Sequence, residues 1–121
     1  MKAIAATIFV CLLSGSAMAA EPIYLECKVS SLTTDLLVTL NESIGKATQT
    51  YKANGSGFTS DAQFNANEII YHKKIASLGQ SEQFTINRST LAIEHVVFVD
   101  GQRITGGDGT CKVVKAKNNK I

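Results

Sequence analysis

The 121-residue sequence predicts an all-β domain, a small antiparallel barrel or sandwich of seven to eight short strands with one disulfide. Three observations predict it. Apolar and polar residues alternate with a two-residue period through a succession of short runs. Turn signals made of Asn, Asp, Ser and Gly separate those runs about every 8 to 12 residues. Tryptophan is absent and proline occurs once, at Pro22, while Thr, Val, Ile and Gly are plentiful, a mixture that favours strands and turns over helices.

The first twenty residues read as an export signal rather than as structure. Lys2 precedes an apolar run from Ala3 to Leu13, and small residues end in Ala17-Met18-Ala19-Ala20, the Ala-x-Ala pattern cut by a signal peptidase after Ala19 or Ala20. The apolar run falls short of the roughly 20 residues a spanning helix needs, so no membrane span is expected. Val10 before Cys11 is not the small residue that precedes a lipidated cysteine. Residues 21–121 are then a single β domain with a short basic C-terminal tail, periplasmic or secreted. Export leaves Cys27 and Cys111, and an even pair in an oxidising compartment reads as a disulfide. A bridge closing a loop of about 80 residues contributes about 4 to 5 kcal/mol by chain entropy, which matches the net stability of a small domain. The pair lacks the Cys-x-x-Cys spacing of a redox site, and two cysteines with two scattered histidines lack zinc spacing, so no metal and no cofactor is predicted.

Each run places an element. Ile23, Leu25, Cys27 and Val29 share one face of a first strand, so Cys27 points inward. Leu36, Val38 and Leu40 repeat the pattern, and Asn41 to Gly45 supplies a turn. Lys46 to Lys52 is more polar, with Ala47, Gln49 and Tyr51 on one face, and fits an edge or solvent-facing strand. Asn54-Gly55 marks a hairpin turn. Phe58 to Phe64 is an irregular strand or a loop. Glu68 to Lys74 resumes alternation, Ser77 to Gln80 breaks it, and Phe84, Ile86 and Arg88 share a face of the next strand. Leu91 to Val99 predicts a long strand whose far half is buried on both sides. Asp100-Gly101 and Asp108-Gly109 bracket a glycine-rich loop, and Gly106 to Gly109 reads as a hairpin turn. Thr110 to Val114 closes the domain with Cys111 inward, so the first and last strands lie side by side or across a small core.

Charge and motifs exclude more than they assign. Without Lys2, 11 basic side chains face 10 acidic ones, which gives no electrostatic case for nucleic acid. Lys112, Lys115, Lys117 and Lys120 crowd the tail, which reads as a solvated terminus; contact with an anionic surface is the alternative. His72 and His95 read as partly exposed strand histidines. Glu94 and His95 face opposite sides of a strand and cannot pair, and a Ser-His-Asp hydrolase lacks a nucleophile elbow. Arg88 reads as a structural clamp at a strand end, with anion recognition second, because a guanidinium leaving water needs a carboxylate or several carbonyls. Three Asn-x-Ser triplets, at Asn41, Asn54 and Asn87, match the glycosylation pattern but follow a signal of bacterial type.

Cys27, Val38-Thr39-Leu40-Asn41, Phe84 to Leu91 and Gly109-Thr110-Cys111-Lys112 together resemble uncharacterised small exported β-proteins of proteobacteria. That resemblance implies a location more than an activity. Gly55-Ser56-Gly57-Phe58 is similar to a segment of the periplasmic inhibitors of c-type lysozyme, small barrels with cysteines near both ends, in which a tyrosine stands where Phe58 is. This second resemblance implies a binding loop carrying Ser56 and Phe58. The expectation is a non-enzymatic binding module for an envelope or secreted protein. A lysozyme inhibitor, a barrel holding a small apolar ligand and a hydrolase are the alternatives. The apolar-ligand reading requires an unfilled interior around Leu36, Val38, Ile86 and Ile93.

Overall fold

A computed structural model describes residues 21–115. Residues 1–20, expected above to be an export signal, and the tail lysines Lys117 and Lys120 lie outside the described residues. Eight antiparallel strands follow one another around a closed barrel: β1 (Ile23–Val29), β2 (Leu36–Asn41), β3 (Lys46–Tyr51), β4 (Gly57–Phe64), β5 (Glu68–Ile75), β6 (Gln80–Asn87), β7 (Ala92–Val99) and β8 (Gln102–Val113). Each pairs with the next, and β1 pairs with β8 to close the ring. Closure gives every strand a neighbour on both sides, although the β4–β5 ladder is short.

The two-residue period sorts side chains to the inside and outside of this ring. Leu25, Cys27, Val29, Leu36, Val38, Leu40, Ile69, Tyr71, Phe84, Ile86 and Ile93 form one buried cluster. Leu36, Val38, Ile86 and Ile93 are all essentially inaccessible, so side chains occupy the interior at their level. Cys27 sits directly opposite Cys111 on neighbouring strands, and the two are bonded across a sequence separation of 84. First and last strands therefore lie side by side.

Turn chemistry sets the connections. Gly45 and Gly79 take left-handed backbone after single 3-10 turns, Glu42–Ile44 and Ala76–Leu78. Asp100 and Gly101 both have positive φ, as a two-residue hairpin between β7 and β8 demands. The three Asn-x-Ser triplets are local turns. Asn54 Oδ1 accepts from the Ser56 N–H and hydroxyl, Asn87 Oδ1 from the Ser89 and Thr90 N–H groups, and Asn41 Oδ1 from the Ser43 hydroxyl.

Four expectations need correction. Phe58 to Phe64 is a regular strand whose alternation is masked by its polar residues. β3 is not an edge: Ala47 and Gln49 are fully buried because β2 and β4 flank it. Gly106 to Gly109 is not a turn but the middle of the 12-residue β8. These glycines are there for close approach. A Cβ on Gly109 would overlap the Lys28 carbonyl of β1, and one on Gly107 would lie 2.7 Å from Ser31 Cβ and 2.8 Å from Ser31 N. His95, finally, is not partly exposed; it is 3% accessible, for the reason given below.

Candidate functional site

Two arrangements inside and along the barrel carry chemistry. The first begins at β4 and β5. Their ladder holds only three pairs, Ala62 with Tyr71, Gln63 with Ile70 and Phe64 with Ile69. β4 continues to pair with β3 through Asp61 to Gly57, and β5 with β6 through His72 to Ile75. Between them the two strands part. The outward-pointing N–H and C=O groups of this half of β4 and of β5 thus face a seam rather than a neighbouring strand.

A groove of about 510 Å³ occupies the seam, lined by Phe58 to Asp61 on one bank and His72 to Lys74 on the other. The Lys73 ammonium lies 5.0 Å from the centre of the Tyr51 ring and 5.7 Å from that of Phe58, and donates to the Tyr51 hydroxyl at 3.2 Å. Asp61 is the only carboxylate among the lining residues; Lys46 hydrogen-bonds it and holds its acid below the usual aspartate range. The lining is therefore apolar at its floor and cationic at its β5 bank. His72 faces outward, with Nε2 3.1 Å from Gln83 Oε1.

The second arrangement is buried. Phe58, Tyr71, Phe84 and His95 form a ladder of rings across β4 to β7: Tyr71 stacks on Phe84 at 5.2 Å and Phe84 on His95 at 4.8 Å. Tyr71 donates to Gln49 Oε1 at 2.6 Å, while Gln49 Nε2 is buried without a partner. Burial pushes the Tyr71 phenol up from its ordinary value. His95 is satisfied at both nitrogens: Ser31 Oγ lies 2.8 Å from Nδ1 and Glu82 Oε1 lies 2.8 Å from Nε2. The hydrogen bond from His95, against the opposing effect of burial, holds the Glu82 carboxyl below the usual glutamate range. Opposite His95 on β8 stands Gly107, whose missing side chain lets the β1–β2 loop fold down until Ser31 reaches the ring.

The residues singled out in the sequence are dispersed. Ser56 is exposed in the β3–β4 loop, whereas Phe58 is two residues into β4 and its half-buried ring packs on the core. Arg88, in the β6–β7 turn, donates to the Asn65 carbonyl at 2.9 Å and to Glu42 Oε1 at 3.0 Å, and its own N–H donates to the Asn67 carbonyl. It thereby ties together three connections at one end of the barrel. His72 and His95 lie on opposite faces, and among the described residues no group of three or more His, Cys, Asp or Glu side chains is placed to hold a metal ion. Ser31, Glu82, Lys73 and Gln49 were not singled out by sequence reasoning. An inward parity for Lys73 and Glu82, which face each other across β5 and β6, was the available signal.

No helix among the described residues is long and apolar enough to cross a membrane. Comparisons with protein-family models, with curated proteins and with solved structures return no match.

Proposed function

We propose that the protein is a periplasmic or secreted binding module, not an enzyme, and that it receives an extended segment of another protein in the seam between β4 and β5. The observation that carries this reading is the three-pair ladder, which leaves half of the facing edges of β4 and β5 against a groove within the closed ring. An extended peptide entering there gains main-chain hydrogen bonds from either edge, and its alternate side chains meet Phe58 on the floor and Lys73 and Lys74 on the bank. The cationic bank favours an acidic segment. The export-type leader and the Cys27–Cys111 bridge support the location.

Fluorescence anisotropy with labelled peptides of alternating Glu and branched apolar residues tests the proposal. Binding is expected to weaken about tenfold when alternate backbone nitrogens are methylated, because the ladder donors are lost, and again with Lys73→Glu. Binding indifferent to both changes contradicts it, as does no binding by any peptide of the set. The exposure of Ser56 at the same end of the barrel supports a second reading, inhibition of a lysozyme through the β3–β4 loop. Unaltered activity of c-type and g-type lysozymes at micromolar protein removes that reading.

A further inference from the structure

The buried relay on the opposite flank of the ring ladder is not needed for strand binding, and its geometry points to Ser31 as an activated nucleophile that accepts an acyl group from an activated carboxylic ester. The hydrogen-bond roles follow from the partners. The Glu82 carboxylate only accepts, so His95 Nε2 carries a proton; in the tautomer whose single proton is there, Nδ1 offers its lone pair to the Ser31 hydroxyl at 2.8 Å. Ser31 thus directs its proton into the barrel while the residue itself is exposed at the surface. A nucleophile, a base within hydrogen-bond reach and a third group that orients the base are the three parts of an activated hydroxyl.

The base is held rigidly. His95 is 3% accessible, with the Phe84 ring stacked on it at 4.8 Å and Glu82 only 12% accessible behind it. Gly107 gives the serine its position, since a Cβ there would lie within 2.8 Å of both Ser31 Cβ and Ser31 N. Burial of a polar histidine demands that both nitrogens be satisfied, yet it does not demand that one partner be an exposed hydroxyl.

In the step, Ser31 Oγ attacks the ester carbonyl carbon and its proton passes to His95 Nδ1. The tetrahedral adduct collapses with cleavage of the bond to the leaving oxygen, which takes the proton from Nδ1. The products are acyl-Ser31, the free alcohol or phenol and the neutral histidine. No oxidation or reduction is involved. The step ends at acyl-Ser31, a single modification of each molecule that is compatible with a binding module.

The test is acetylation of the full chain by 4-nitrophenyl acetate, followed by peptide mapping of each serine. Ser77, exposed in the β5–β6 turn, is the reference within the same molecule. Ser31 is expected to acetylate on the order of 10²-fold faster than Ser77, with release of one equivalent of nitrophenolate. Glu82→Gln is expected to slow Ser31 about tenfold while leaving Ser77 unchanged, and Ser31→Ala to abolish the fast phase. Equal rates at Ser31 and Ser77 in the unaltered protein overturn the proposal without recourse to any variant. An unchanged Ser31 rate in folded Glu82→Gln overturns the role of the relay.

Discussion

At the scale of single residues, the interior is polar where the strands cross the ring ladder, and hydrogen bonds decide its cost. Tyr71 and Gln49 satisfy one another at 2.6 Å, but Gln49 Nε2 has no partner. Tyr71→Phe is expected to destabilise by about 1 to 3 kcal/mol, since it strands the Gln49 carbonyl as well. Adding Gln49→Leu is expected to recover most of that loss, because the double variant leaves no buried polar atom unpaired; urea unfolding of the four proteins measures it. Glu82 supplies a pH dependence of defined sign. Its folded-state acid lies below the ordinary value of about 4.3, so its contribution is complete above that pH and is lost as pH falls through the folded value. Chemical denaturation between neutral pH and pH 3 is expected to show a steeper acid loss in the unaltered protein than in Glu82→Gln. Sequence alternation placed Cys27, Val38 and Ile86 on the inner face, since apolar residues announce their side. It did not reveal Glu82, because a polar residue at an inward parity looks like a solvated one until the partner across the barrel is known, nor Ser31, a loop residue with no parity to read.

At the scale of elements, the strand count and most boundaries were legible because each apolar run is short and bounded by Asn, Asp or Gly. β8 was misread for a physical reason. Glycine serves both turns and close packing, and Gly107 and Gly109 do the second: the β1–β2 loop and β1 approach so closely that no side chain fits. Gly107→Ala is therefore expected to displace Ser31 from His95 and to cost about 1 to 3 kcal/mol, read by denaturant midpoint together with loss of fast Ser31 acetylation. β3 was taken for an edge because Gln49 and three threonines or lysines made it polar, yet its inward Gln49 has a partner on β5 that no local pattern shows. The β4–β5 seam was illegible for the same reason. Pairing between two strands is a property of both, and neither Phe58 to Asp61 nor His72 to Lys74 signals that their ladder stops at Ala62 and Tyr71.

At the scale of the whole molecule, closure depends on β1 and β8, and the disulfide joins that pair. Cross-linking residues 84 apart restricts the unfolded chain most where the ring closes, and removing both thiols as Cys27→Ala with Cys111→Ala is expected to cost up to about 4.5 kcal/mol in urea unfolding. The seam lies on the far side of the ring from that bridge, with two strands intervening on either side. The covalent tie and the open ladder are thus separate features, one securing the ring and the other leaving a place for a partner strand. Amide hydrogen exchange of the oxidised protein, resolved residue by residue, tests this arrangement most directly. Amides of Thr59 to Asp61 and His72 to Lys74 that point into the seam are expected to exchange quickly in the free protein, and to slow when an acidic extended peptide is added, while the β6–β7 ladder stays protected throughout. Protection of those seam amides equal to that of β6 and β7 in the free protein, or no change on saturation with peptide, contradicts the account.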